Sequence, residues 1–212
     1  MNYKYEIIRS ARKTVSINIS AENKITVHCP WGVCVEDIEK FLDSKSEWIE
    51  RVVLNNSKKL AANDDVIEYR QIYVAGKKLP LVFADKNEIS DGCVFIKDKK
   101  YIEKLYIDKF SESFQDRVQQ LANISKLYPA TVSVKSYKGR WGCCDAKNNL
   151  IFNYKLFMLP SELQDYVIVH ELCHTLCHNH SDAFWHLVKE FVPDYKQKRK
   201  DLNYYNFLIS LY

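Results

Sequence analysis

The residues best suited to chemistry are two histidines and a glutamate in the stretch His170-Glu-Leu-Cys-His174. Histidines at positions i and i+4 of a helix lie on one face, where two neutral imidazoles can bind a single divalent ion. A glutamate directly after the first histidine can reach water bound to that ion and act as a general base. This spacing is typical of zinc hydrolases, so it predicts His170 and His174 as metal ligands and Glu171 as catalytic.

A third ligand must come from the residues that follow. On a straight helix His178 would lie about 12 Å along the axis from His170, too far to share an ion bound at about 2 Å. Asn179 can end the helix in a left-handed conformation, and His180 would then lie on a turn that returns to the pair. We therefore predict a zinc site formed by three histidines: His170, His174 and His180. His186 and Glu190, which follow later in the chain, are alternatives for the third metal ligand.

The side chains around the motif predict a buried helix. Its apolar neighbours are Tyr166, Val167, Ile168, Val169, Leu172 and Leu176. A carboxylate in such a helix is unfavourable without a partner, and a purely structural alternative pairs Glu171 with a core histidine. Ser181 is a candidate N-cap for the next helix, which should stop at Pro193.

Two cysteines on the same helix allow another type of metal site. Cys173 and Cys177 are also four residues apart, and Cys177 is angularly close to the histidine face, so a structural Cys/His zinc is an alternative. A closed structural site needs four protein ligands and would leave Glu171 without a role. The seven cysteines are an odd number in a chain without an export signal, so we expect reduced thiols. Three of them are expected in the core: Cys29, Cys34 and Cys93.

A loop upstream of the helix is rich in arginine, tryptophan and glycine, over residues 137–149. Arg140 could stabilise the oxyanion of a tetrahedral intermediate or bind a phosphate. An ion pair with Asp145 that shapes the loop is the structural alternative. Cys143 and Cys144 are adjacent and should face opposite ways, and nothing in the sequence lowers the pKa of either thiol. We therefore assign no cysteine nucleophile.

These motifs resemble those of the YgjP-like metallopeptidase domain family, relatives of the SprT and WLM zincins. The stretches that carry the resemblance in the C-terminal half are His170–His174, Asn179–Ser181 and Phe184–Trp185. Upstream, similarity extends to Lys138–Cys144, Leu150–Asn153, Arg9–Lys13, Pro30 and Trp48, so it covers most of the chain. The family pattern usually has serine after Trp-Gly, where this chain has Cys143.

The resemblance implies a zinc-dependent hydrolase, most directly a metallopeptidase that uses zinc-bound water with Glu171 as general base and cleaves a peptide or protein substrate. In zincins a strand beside the metal helix pairs with an extended substrate. The resemblance assigns this place either to the strand that contains Asn153 or to the loop before it.

The first third of the chain predicts strands followed by a helix. Alternating residues in 14–19 and 24–28, around a turn at 21–24, predict a hairpin. Helical spacing over residues 36–60 predicts a helix in two pieces, broken near Asp43-Ser44. The basic residues Arg9, Arg12 and Lys13 could face a phosphate or nucleic acid, or form a solvated strand face. Asn63–Asp65 is a soft candidate boundary.

Further strands are predicted between residues 67 and 107, including 105–107, and then an amphipathic helix from Ser111 to Leu127 with Ser111 as its cap. Strands are also predicted at 131–136 and 150–154. The tail from Asp194 should end in a packed helix, and its basic start could alternatively face RNA or DNA.

The expected fold is α+β, with a β-rich region of mainly antiparallel strands and a helix at 1–107. A minimal zincin-like metallopeptidase domain with the metal helix follows at 108–212, unless the two form one continuous domain.

Composition agrees with an enzyme. The chain has 212 residues, 47% of them hydrophobic, which suffices for one core or a core with a small lobe. Its net charge of +4 is modest, so nucleic-acid binding is possible but not required. No apolar run approaches a membrane span and the N-terminus lacks the apolar core of a signal peptide, so we expect a cytoplasmic protein. The sequence does not indicate an oligomeric state.

Two functions of other classes stay open. One is a metal-dependent nucleotide phosphohydrolase of the pyrophosphatase type, with Arg140 and nearby lysines on the phosphates. The other is a zinc-containing nucleic-acid-binding module without catalysis, in which Glu171 would have no role.

Overall fold

The computed structural model describes residues 4–211, in two compact units that divide between Asp64 and Asp65. Met1–Tyr3 of the predicted N-terminal segment and Tyr212 of the predicted tail lie outside the described residues. This division falls within the Asn63–Asp65 segment, and the strands after residue 70 belong to the second unit. A functional division at 107/108 stays a prediction.

The first unit contains a three-stranded sheet and two helices. The strands are β1 Tyr5–Ser10, β2 Ser16–Ile19 and β3 Ile25–Pro30, and the helices are α1 Val35–Ser44 and α2 Ser46–Ala61. β3 is central, antiparallel to β2 and parallel to β1. The predicted hairpin and the predicted helix break are both confirmed, since α1 and α2 meet at Lys45.

Alternation along β3 builds the core of this unit. Every second residue of the strand is buried, and these residues pack with apolar positions of the two helices: Ile25, Val27, Cys29, Ile38, Leu42 and Ile49. The guanidinium of Arg9 donates hydrogen bonds to the carbonyls of Pro30, Trp31 and Val33. Arg9 therefore holds the turn after β3, which is a structural role.

The second unit begins within a short helix, α3 Asp64–Ile67, which is followed by a four-stranded sheet in the order β4-β5-β7-β6. Its strands are β4 Gln71–Val74, β5 Lys77–Phe83, β6 Glu88–Ser90 and β7 Cys93–Ile96. The β4–β5 turn places Ala75 and Gly76 at positive φ, which a two-residue hairpin of this twist requires. A Cβ on Gly76 would lie 2.6 Å from Cγ of Pro160, so only glycine fits this turn.

One helix, α4 Ile102–Ser125, replaces elements that were expected to be separate. Residues 105–107 were predicted as a strand and Ser111 as a helix cap, and both predictions are wrong. Ile102, Leu105 and Tyr106 are all buried at i, i+3 and i+4, which is helical spacing, so the helix starts nine residues before Ser111. It ends before Lys126, which adopts a left-handed conformation.

The remaining elements surround the histidine motif. A second three-stranded sheet has the order β8-β10-β9, with strands β8 Thr131–Lys135, β9 Gly142–Cys144 and β10 Asn149–Asn153. Four helices follow: α5 Ser161–His174, α6 Asp182–Phe191, α7 Tyr195–Tyr205 and α8 Phe207–Leu211. The strands predicted at 131–136 and 150–154 and the packed tail are present, and the α+β fold class is confirmed.

Candidate metal centre

Helix α5 carries His170, Glu171 and His174 through the interior of the second unit. The apolar positions on all its sides are buried: Leu163, Tyr166, Val167, Ile168, Val169, Leu172 and Cys173. A helix that is apolar all round must be covered all round, so the polar residues of the motif are enclosed with it. Arg117 of α4 donates two hydrogen bonds, of 2.8 and 2.7 Å, to the carboxylate of Asp165 and so ties α4 to the metal helix.

The helix ends at His174, earlier than the sequence predicted. Asn179 does not adopt the predicted left-handed conformation; its side-chain oxygen instead accepts a hydrogen bond from the backbone N–H of Ser181. One more turn of backbone hydrogen bonds, back to Leu172 and Cys173, carries the chain to Cys177. The segment that follows brings His180 back over the helix.

The three predicted histidines come together. Nε2 of His180 lies 3.2 Å from Nε2 of His170, and one ring nitrogen of each of the three histidines lies within 4.8 Å of the others. Ligands of a tetrahedral zinc ion, with bonds of about 2.0–2.1 Å, lie about 3.3 Å apart. The cluster therefore has the size that one ion needs.

The orientation of two rings is set by their neighbours. Nδ1 of His174 lies 2.9 Å from the carbonyl oxygen of Cys177, to which it can donate its proton, leaving Nε2 free to bind a metal. The buried ring of Phe184 stacks on His174, with ring centroids 4.3 Å apart. It also forms T-shaped contacts with His170 and His180, with centroid distances of 4.9 Å in both cases. Phe184 therefore supports all three ligands.

Electrostatics favour the neutral imidazole at His170 and His174. Burial lowers the pKa of His170 to about 3, helped by the charges that His174 and His180 would carry. Burial also lowers the pKa of His174. Neutral imidazole is the form that binds a metal, and Nδ1 of His170 is buried without a hydrogen-bond partner in the described part of the chain. The residues present fit a divalent ion such as zinc.

Glu171 is the buried carboxyl group beside this cluster, with 6% of its surface exposed. Burial raises the pKa of its carboxyl group to about 8, while the positive charge of Arg140 opposes that rise. Gly142 in β9 packs directly on this side chain. A Cβ at Gly142 would lie 2.8 Å from Cγ and 2.9 Å from Oε1 of Glu171, so strand and carboxylate approach more closely than any other residue type allows. Sequence reasoning missed this contact, whose only signal was a glycine in a short strand.

Arg140 lies in the loop before β9, near enough to Glu171 to affect its pKa. Its guanidinium carbon is 5.2 Å from the centre of the Tyr137 ring. The carboxylate of Asp145 instead accepts hydrogen bonds from the backbone of Lys147 and from the backbone and side chain of Asn149. Within residues 4–211 no ion pair joins Arg140 to Asp145, so the structural alternative for Arg140 is not present.

Asn153 holds this loop in place from the end of β10. Its fully buried side chain donates hydrogen bonds to the carbonyls of Tyr137 (2.7 Å) and Arg140 (3.1 Å), and it accepts one from the N–H of Lys155. β10 is bonded on both sides, to β8 and β9, so its backbone is already paired. β9 is an edge strand of this sheet and lies against α5.

The other candidate ligands lie outside the cluster. His178, His186 and Glu190 are exposed, and the group found among the described residues consists of three histidines without a cysteine. All seven cysteines, each within residues 4–211, are free thiols. Cys29 is buried as predicted, Cys93 is only half-buried, and Cys34 is exposed because it precedes α1 at the surface. Burial raises the pKa of the Cys144 thiol to about 11, so it is not an activated nucleophile.

None of the helices within residues 4–211 combines the length and the apolar character needed to cross a bilayer.

Comparison with known proteins finds similarity to one family of metallopeptidase domains. The profile of the family described as YgjP-like, metallopeptidase domain, matches residues 13–205. Among solved structures, the crystal structure of the metallopeptidase zymogen of Pyrococcus abyssi abylysin is similar at 20% identity, over 42% of this chain and 90% of that chain. Its TM-score of 0.39 is too low to support an argument about this chain. No match was found among curated proteins.

Proposed function

The chain belongs to the YgjP-like metallopeptidase domain family, and from this premise we propose that it is a zinc-dependent peptidase. The observation that carries the proposal is the position of the buried Glu171 beside three histidines whose ring nitrogens lie within 4.8 Å of one another. A closed structural zinc site would need a fourth protein ligand. The cluster contains three, and a buried carboxyl group lies next to it.

Zinc would be held by His170, His174 and His180. When bound, it would supply a Lewis acid that polarises the scissile carbonyl and makes water more acidic. Phe184 contacts all three rings and the carbonyl of Cys177 orients His174, so the imidazoles need little rearrangement to bind.

Glu171 is the general base in this proposal. Its carboxylate takes a proton from the attacking water and then passes that proton to the leaving amine. Burial favours the protonated carboxyl group, whereas the charge of Arg140 favours the ionised one. These opposing influences suit a group that must both accept and release a proton near neutral pH.

We further propose that the backbone of an extended peptide pairs with β9. An edge strand offers unpaired N–H and C=O groups to an added strand, and β9 lies directly against the side chain of Glu171. Arg140, which precedes β9, would face the oxygen of the scissile carbonyl as charge develops there. The alternative in which β10 receives the substrate is disfavoured, because both of its edges are occupied.

The proposal is tested by measuring zinc content and peptide hydrolysis together. We expect one zinc per chain and metal-dependent cleavage in the unaltered protein. Glu171→Gln should keep the zinc and lose about 10²–10⁴-fold in kcat, which is the usual contribution of a general base. His180→Ala should lose most of the zinc.

The matched control is His178→Ala, because His178 is exposed and outside the cluster. It should retain both zinc and activity. Full zinc retention in His180→Ala would refute the ligand set. Metal-dependent nucleotide hydrolysis without any peptide cleavage would refute the peptidase and favour the phosphohydrolase.

A further inference from the structure

A second arginine, Arg199 of α7, lies beside the histidine cluster on a wall of aromatic rings. Its guanidinium carbon is 4.9 Å from the centre of the Trp185 ring. Trp185 in turn stacks on Tyr195, with centroids 5.2 Å apart and planes 17° apart. Trp185 also contacts the cluster, with its ring centroid 5.6 Å from that of His180 and 5.8 Å from that of His170.

The charge of Arg199 is not neutralised. The side chain is exposed and forms no ion pair within residues 4–211. The carboxylates on either side of it along the helix have other partners: Asp194 pairs with Lys198 and Asp201 accepts a hydrogen bond from Gln197.

The two arginines lie on different elements. Arg140 is in the loop before β9, over the Tyr137 ring, whereas Arg199 is on α7, over the Trp185 ring that contacts His170 and His180. A guanidinium stacked on an aromatic ring loses conformational freedom but keeps its N–H edges available. Such a group is well suited to bidentate hydrogen bonds with a carboxylate.

We propose that Arg199 binds a carboxylate of the peptide substrate and so gives the enzyme a preference for an acidic group near the scissile bond. This proposal rests on the proposed peptidase function. The carboxylate can come from an acidic side chain or from the free C-terminus of the substrate. The planar guanidinium and its Trp185 support, rather than positive charge alone, determine the preference.

The test uses matched peptides with the zinc-loaded full-length protein. One pair differs only by Glu or Gln near the scissile bond, and a second pair differs only by a free or an amidated C-terminus. KM and kcat are measured for each, and binding of the same labelled peptides is measured by fluorescence anisotropy. We expect KM and Kd to be lower for the acidic member of one pair by about tenfold, the usual effect of a charge-assisted hydrogen bond.

Three variants separate the possible causes. Arg199→Gln should remove the preference, so that KM and Kd become equal for the acidic and the neutral member of the pair. Arg199→Lys keeps the charge but loses the planar fork, and it should restore only part of the preference. Lys200→Gln removes a neighbouring exposed charge from the same helix and should keep the preference, because the cationic group over the Trp185 ring is the guanidinium of Arg199.

The pair that shows the preference identifies the source of the carboxylate. A preference that persists in Arg199→Gln, or that falls equally in Lys200→Gln, would overturn the proposal. Either result would show that the preference arises from the overall positive charge of this surface and not from Arg199. An equal loss on acidic and neutral peptides would show that Arg199 only supports Trp185, and would also overturn it. If no peptide is cleaved, the proposed peptidase fails, and equal binding of acidic and neutral peptides then refutes the role of Arg199 independently.

Discussion

At the level of single residues, burial acts in opposite directions on the two kinds of ionisable group in the site. It lowers the pKa of His170 to about 3 and raises that of Glu171 to about 8, because in both cases the charged form is desolvated. The histidine is therefore neutral and ready to bind a metal. The glutamate is poised between its two forms, and the charges around it decide which one dominates.

Gly142 provides a residue-scale prediction. In Gly142→Ala the new methyl group would lie 2.8–3.1 Å from three side-chain atoms of Glu171, so the carboxylate must move. A displacement of about 1 Å from a reacting position can reduce the rate about a hundredfold. We expect kcat to fall by about that factor in steady-state peptide hydrolysis, with the zinc content unchanged.

The control for this variant is Gly32→Ala, since nothing lies within 4 Å of a Cβ at Gly32. Its activity should equal that of the unaltered protein. If Gly142→Ala retains full activity, the close contact between β9 and Glu171 has no catalytic importance.

At the level of elements, the site depends on how a loop and a strand are fixed to the metal helix. Asn153 joins the end of β10 to the carbonyls of Tyr137 and Arg140, and its own N–H bonds to the carbonyl of Trp141. The N–H of the Trp141 indole donates to Asn206, beyond α7. The arginine loop is thereby held from two directions before β9 begins.

Asn153→Ala should loosen this loop. The substitution leaves two backbone carbonyls without their donor, and the loss of a buried hydrogen-bonding partner typically costs about 1–3 kcal/mol. We expect the free energy of unfolding, measured by urea denaturation, to fall by about 2 kcal/mol, together with a reduced kcat. Asn123→Ala on the exposed face of α4 is the control and should change stability by less than about 0.5 kcal/mol. Equal stability of the two variants would show that the hydrogen bonds of Asn153 to this loop do not stabilise the fold.

At the level of the whole molecule, all of the proposed chemistry belongs to one unit. The three histidines, Glu171, Arg140 and their supporting contacts lie within residues 65–212, and this unit has its own sheets and core. The first unit has a separate core, in which β3 packs against α1 and α2.

A fragment of residues 65–212 should therefore fold and bind zinc. We expect about one zinc per chain by elemental analysis and a cooperative thermal transition, because the ligands and the groups that orient them are all retained. The same fragment with His180→Ala should bind much less zinc. An unfolded fragment, or a folded one without zinc, would show that residues 1–64 are needed to form the site.

Much of the site could be predicted from the sequence, because its spacing follows local rules. Two histidines four residues apart must share a helix face, and Glu171 must lie beside the first of them. The hairpin of β2 and β3 and the break between α1 and α2 were predictable for the same reason, since short-range periodicity and turn residues determine them. The return of His180 was also predicted, although the helix ends five residues before Asn179 by a different hydrogen-bonding pattern.

Only the tertiary structure decided how distant segments meet. Sequence periodicity does not reveal that β9 is an edge strand and β10 a central one, because strand order depends on pairing between separate strands and not on the pattern within one strand. It therefore could not place Gly142 against Glu171, Phe184 against all three histidines, or Arg199 on Trp185. The early start of α4 was missed because a short apolar run fits a strand or a helix equally well until its burial is known. Local geometry determined which residues could act, and long-range packing determined what surrounds them.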